Sequence, residues 1–143
     1  MFVRGIRGAT TTEKDDEESI LAATSELLAA ILEANPSLVP DDLASALFTV
    51  TPDIMAVYPA KAARQMGWGS VPLMCAQEIP VTGSLPLCIR VLLTWNTPLS
   101  QKDIKHIYLK NAAILRPDLA AESKNSTPVF IPKPVSESKG GLK

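Results

Sequence analysis

The most regular feature of the chain is a helical repeat of apolar positions. Ile20, Leu21, Thr24, Leu27, Leu28, Ile31 and Leu32 recur at spacings of three and four, which puts them on one side of a helix. Glu17, Ser25, Glu26 and Glu33 take the other side. Asp15, with Glu18 three residues on, resembles a capping box, and Asn35-Pro36 ends the pattern. The spacing predicts a helix over 15–34.

Shorter segments surround it. Phe2–Thr12 mixes β-formers with Gly5 and Gly8 and predicts an N-terminal strand. Pro40-Asp41-Asp42 is a turn or a single helical turn. Leu43–Val50 is an apolar run closed by Thr51-Pro52-Asp53, a second strand. Pro59 suits the first position of a short helix over 60–66, which Gly67-Trp68-Gly69 stops. Val71–Ala76 predicts a short strand, Pro80–Pro86 a turn region, Leu87–Trp95 the clearest strand, and Asn96–Gln101 a turn. Residues 104–115 contain β-formers and Ala, and the pattern does not settle the element. With a strand counted there, the order is β-α-β-α-β-β-β. About five strands and two helices predict an α+β fold, a mixed β-sheet with helices on one face. The other face needs cover, which burial against other subunits would supply. Residues 1–119 form the expected domain. The last 24 residues, 120–143, are rich in Ser, Pro, Lys and Gly and read as a flexible tail.

Composition narrows the function classes. The 143 residues are 46% hydrophobic and 20% charged, enough apolar material for a core and against wholesale disorder. Lys plus Arg is 14 and Asp plus Glu 15, a net charge of −1, without the basic excess of a general nucleic-acid binder. Any anion must therefore be recognised by a few placed cations. Cys75, Cys88 and the lone His106 have no metal-ligand spacing, so no zinc site is expected. The opening residues do not resemble a signal peptide, and no stretch of ~20 apolar residues exists to span a bilayer. The expectation is a cytoplasmic protein with both cysteines as free thiols.

Arg90 is the most informative single residue. It stands in Leu87-Cys88-Ile89-Arg90-Val91-Leu92-Leu93 with no other charge nearby in sequence. A guanidinium in a central strand is costly unless paired. It either faces solvent or a structural carboxylate, or awaits an anionic or electron-rich ligand. Arg4 and Arg7 lie three apart on a strand and so point to opposite faces. Lys61 and Arg64 share one face of a helix start, where cations are slightly unfavourable. Cys75 has no base nearby in sequence and fits packing better than nucleophilic attack. His106 fits a surface or hydrogen-bonded histidine. Paired carboxylates, a Ser/His/Asp order and a glycine-rich phosphate loop are all missing. The residues alone reach an anion-binding α+β domain.

Several blocks, in order, resemble one family. Arg4-Gly5-Ile6-Arg7-Gly8-Ala9-Thr10-Thr11 is similar to the opening of the AroH-class, monofunctional chorismate mutases. Thr51-Pro52-Asp53 with Ala56-Val57-Tyr58-Pro59-Ala60-Lys61-Ala62 and Arg64 resembles their second block. Val71-Pro72, Cys75, Gln77-Glu78, Val81-Thr82-Gly83 and Cys88-Ile89-Arg90-Val91 resemble the third. His106-Ile107-Tyr108-Leu109 and Leu115-Arg116-Pro117-Asp118-Leu119 resemble the fourth. The resemblance spans about residues 2–119.

It implies a homotrimer with a pseudo-α/β-barrel arrangement and active sites in clefts between subunits. It also implies an isomerase that rearranges chorismate to prephenate, without metal or cofactor. Carried over by motif, Arg90, Glu78 and Cys75 are the catalytic set. Arg90 would stand beside the ether oxygen. Glu78, with Cys75 at the same end, would take the ring hydroxyl. Arg7 and Tyr108 would bind side-chain carboxylate. Tyr58, Ala60, Leu73, Met74 and Leu115 would form walls, and Lys61, Arg64 and Arg116 would surround the mouth. Tyr58 stands where the family pattern often has Phe, and Leu73-Met74 replaces a smaller, more polar pair. Trimeric imine/enamine deaminases, with an arginine in an intersubunit cleft, and a metabolite sensor without turnover are the competing readings.

Overall fold

The computed structural model describes residues 1–115. The order is β1 (Phe2–Thr11), α1 (Glu17–Ala34), β2 (Leu43–Val50), α2 (Ala60–Gln65), β3 (Leu73–Gln77), β4 (Cys88–Thr97) and β5 (Ile107–Tyr108). Short 3₁₀ turns lie at Pro40–Asp42, Gln101–Asp103 and Lys110–Ile114. The expected succession of strands and helices is therefore present. The five strands form one sheet in the order β3-β2-β4-β1-β5. β4 runs antiparallel to both β1 and β2, while β2–β3 and β1–β5 are parallel pairs.

Strand alternation gives the sheet two unlike faces. Ile6 of β1, Ala46 and Phe48 of β2, and Val91, Leu93 and Trp95 of β4 point to the helices. There they form one buried core with Leu27, Leu28 and Ile31 of α1 and Ala60 and Ala63 of α2. Arg7, Ala9, Leu47, Thr49, Arg90 and Leu92 share the opposite face, which neither α1 nor α2 covers. The mixed sheet with helices on one face is thus the fold. Among the described residues, no helix is long and apolar enough to cross a membrane.

Three local differences from the sequence reading have physical causes. The cap of α1 is Asp16, whose Oδ1 accepts from the Ser19 N–H at 2.7 Å. Asp15 is used elsewhere, accepting the backbone N–H groups of Met55 and Ala56 at 2.8 and 2.9 Å. Next, β4 continues two residues past Trp95, because Asn96 and Thr97 pair with Val3 and Phe2. β3 begins at Leu73 rather than Val71, after Pro72 supplies a carbonyl to Ala46.

The undecided segment, 104–115, holds only a two-residue strand and a 3₁₀ turn. Side chains tie down this region instead of a ladder. The Gln101 amide takes both backbone groups of Gly5, at 3.0 and 2.7 Å. Asn35 clamps both backbone groups of Lys105, at 2.9 and 3.0 Å. The Nδ1 of His106 accepts the Arg7 backbone N–H at 2.9 Å.

Gly8 sets how closely α1 can lie on the sheet. A Cβ there would come within 2.8 Å of Ile31 Cδ1, 3.2 Å of Val91 Cγ1 and 3.3 Å of Leu27 Cδ1. Two of these neighbours are core side chains of α1, so relief requires moving the helix or forcing rotamers. Gly8→Ala is expected to lower stability by about 1–3 kcal/mol, measured by urea unfolding. An unchanged midpoint would show that the helix shifts freely.

Candidate active site

The face away from α1 and α2 gathers charged and polar side chains. Arg90, the third residue of β4, projects onto it between Thr49 of β2 and Ala9 of β1. Its Nε lies 3.5 Å from Glu78 Oε2, long for a hydrogen bond, and that Nε is buried without a hydrogen-bond partner. Glu78 follows β3, fixed by its backbone N–H donating to the Val50 carbonyl at 2.8 Å. Its Oε2 already accepts the Thr49 hydroxyl at 2.5 Å. The carboxylate therefore faces the guanidinium without saturating it. Cys88, two residues before Arg90 on the same face, is fully buried, and burial pushes its thiol up to about 11. It stays neutral beside Arg90 and adds no second negative charge to the one that Glu78 supplies.

Arg7 enters the same space from β1 and Tyr108 from β5. The Arg7 guanidinium stands 5.9 Å from the Tyr108 ring centroid, and Tyr108 is buried. Together Arg7, Thr49, Glu78, Arg90, Leu92 and Tyr108 border a cavity of about 320 Å³. Arg4 points the other way, its Nε donating to the Leu99 carbonyl at 2.9 Å, as the strand alternation requires. Leu115 is buried beside Tyr108 in a small cluster with Ala9, Leu85 and Cys88.

A second, more open cleft of about 580 Å³ lies at the β3 edge. Its walls include Val50, Ile54, Tyr58, Pro59 and Cys75. Cys75 aligns with Phe48 and so faces the helix layer, on the opposite side of the sheet from Arg90. Burial raises its thiol above the ordinary range. The Ala60 backbone N–H and the charge of Arg64 pull it partly back. Lys61 donates to Glu17 at 2.6 Å. The Asp15 carboxylate holds the loop that carries Tyr58 through the Met55 and Ala56 amides.

The family model for chorismate mutase type I matches residues 3–119. The chain belongs to the chorismate mutase type I family. It is 50% identical over 121 residues to chorismate mutase AroH of Bacillus subtilis (strain 168), covering 84% of this chain and 94% of that one. It is 54% identical over 118 residues to chorismate mutase AroH of Thermus thermophilus, covering 82% and 97%. The solved chorismate mutase from Clostridium thermocellum superposes with a TM-score of 0.75 at 50% identity, over 78% of this chain and 98% of that one. The activity is the isomerisation of chorismate to prephenate, a step of phenylalanine and tyrosine synthesis.

Within one chorismate mutase subunit, the structure brings together Arg7, Glu78, Arg90 and Tyr108. It places Tyr58 and Cys75 in the other cleft, with Ala60, Lys61 and Arg64 on the adjoining helix α2. Met74 is exposed on the face of Arg90, whereas Leu73 turns inward and packs against the core. Arg116 and the 120–143 segment lie outside the described residues. Thr49, Asp15 and His106 hold site residues in place; Thr49 and Asp15 escape a motif reading, and His106 stands in a motif block that gives it no such role. Their signals are contacts between residues far apart in sequence.

The raised thiols give a chemical prediction. Each folded-state pKa lies above the unfolded one. The stability this contributes is complete below the ordinary thiol range and, for Cys88, is lost as pH rises towards 11. At pH 7.5 iodoacetamide should alkylate native Cys75 more slowly than in the unfolded chain, and Cys88 more slowly still. Rapid stoichiometric labelling of native Cys75, read by mass spectrometry, would mean that it is an activated nucleophile.

Proposed function

We propose that the enzyme works as a homotrimer in which the Arg90 cavity of one subunit is completed by the Tyr58–Cys75 cleft of the next. In this arrangement, a pseudo-α/β-barrel, the uncovered sheet faces lie inside and the helices outside. The two clefts are chemically complementary. One holds paired guanidinium and carboxylate groups, the other a mostly apolar wall with Lys61 and Arg64 nearby. Met55, Met74, Ile79 and Val81 are 79, 66, 77 and 61% exposed around the β3 end, more large apolar surface than a solitary chain ordinarily leaves in water.

The observation that carries the mechanism is the Arg90 Nε, buried and without an acceptor. The reaction is a rearrangement within one molecule. The ether C–O bond breaks as the enolpyruvyl methylene bonds to the ring, and no proton is transferred. Two things lower its barrier: holding the side chain folded over the ring, and stabilising charge that separates in the transition state. Arg90 takes the ether oxygen as negative charge grows there. Glu78 accepts from the ring hydroxyl and faces the ring as it becomes positive. Cys75 of the neighbouring subunit closes the same end.

Arg7 and Tyr108 hold the side-chain carboxylate. Tyr58, Ala60, Met74 and Leu115 restrict the conformer, with Leu73 supporting the wall from the core side. Lys61, Arg64 and Arg116 draw the dianion to the mouth. No cofactor or metal takes part. A cytoplasmic setting keeps both thiols reduced.

Purified protein mixed with chorismate should show saturable loss of the conjugated-diene absorbance. Arg90→Ala is expected to lower kcat by at least roughly 10²-fold, the usual cost of a transition-state donor. A mutant that retains kcat would sink the role of Arg90. Sedimentation should give three times the 15.3 kDa chain mass.

Refolding Arg90→Ala together with Lys61→Glu, each impaired in a different cleft, should restore activity at about a quarter of the sites. No recovery from well-mixed trimers would mean that each subunit carries a complete site.

A further inference from the structure

We propose that His106 is a positioning residue for this reaction: by accepting the Arg7 backbone N–H it sets where the Arg7 guanidinium stands. The proposal rests on the carboxylate-binding role of Arg7. The geometry at the outer edge of β1 supports it. At Gly5 the Gln101 side chain takes both backbone groups, and from Gly8 onwards β5 pairs with the strand. Arg7 falls between the two. Its N–H has neither the Gln101 amide nor a rung of the ladder, and His106 Nδ1 accepts it at 2.9 Å. An accepting Nδ1 leaves the ring proton on Nε2, so the required form is the neutral imidazole.

The same short segment places both partners of the Arg7 residue. His106 fixes its backbone, and Tyr108, two residues on, lies beside its side chain in the cavity. Without the imidazole, the N–H of a half-buried strand residue loses its acceptor, and β1 must shift or draw in water. Either change moves the guanidinium relative to Arg90, which β2 and Glu78 also hold from the other side. Binding of the substrate carboxylate should suffer more than the bond-breaking step.

Steady-state kinetics of His106→Leu and His106→Asn, alone and in an Arg7→Ala background, test this. His106→Leu removes the acceptor and should raise KM roughly tenfold with kcat within about threefold, while thermal unfolding stays cooperative. Asn presents Oδ1 where Nδ1 stood and should restore KM to within about threefold of the parent. In the Arg7→Ala background His106→Leu should add no further rise, since it acts through Arg7. His106→Ala carries the same expectations if the Leu variant does not fold.

Parental kinetics in a folded His106→Leu, or equal losses in both backgrounds, would overturn the proposal. An Arg7→Ala variant with unchanged KM would instead overturn the role of Arg7 itself.

Discussion

A guanidinium anchored in the middle strand of the sheet, facing away from the helices, is the constraint around which the molecule is arranged. Water hydrates an arginine well, and a sheet face does not, so the group needs a counter-charge held at a set distance. Glu78 supplies it, but from 3.5 Å and with its nearer oxygen already taken by the Thr49 hydroxyl. The pairing keeps the cation in place without consuming its donor. A bidentate bridge would have taken that donor, whereas here the Arg90 Nε keeps no hydrogen-bond partner. The neutral Cys88 thiol next to it keeps the balance the same.

The two sides of the sheet divide the labour. Helix α1 lies flush over Gly8 and buries the apolar side, leaving the other for polar groups on four different strands or strand ends. Arg7, Glu78, Arg90 and Tyr108 come from positions spread over a hundred residues, and the ladder between β2, β4 and β1 brings them to one point. The reaction suits such a construction. It asks for shape and electrostatics rather than for a nucleophile or a proton relay, so rigidity of the backbone under each side chain is itself a catalytic asset.

Much of this was legible in the residues because local pattern and global fold agree. The repeat from Ile20 to Leu32 could only be an amphipathic helix. The uncharged surroundings of Arg90 marked it as a residue with a purpose, and the three-residue offset of Arg4 and Arg7 put them on opposite faces. The cap of α1 was misplaced by one residue because Asp15, Asp16 and Glu17 are alike in local pattern. What separates them is the Met55–Ala56 loop, some forty residues on, which takes Asp15. The segment after β4 resisted reading for a related reason. Its order comes from Gln101, Asn35 and His106 binding distant backbone, which leaves no periodicity. The same three-residue offset sets Cys75 and Glu78 on opposite sides of the sheet.

The manner in which β1 is enclosed bears on how the chain acquires its structure. The first ten residues find both their neighbours near the end of the domain. Phe2 pairs with Thr97, and the bonds from Gly5 and Arg7 to the outer segment span 96 and 99 residues. Loop closure over such separations precedes any reward from contact, which places the chain among the slower-folding topologies. On the ribosome, α1 and the β2–β3 pair can assemble while β1 still lacks its partners. The centre of the sheet, and with it the face that holds Arg90, cannot be completed before β4 and β5 have emerged.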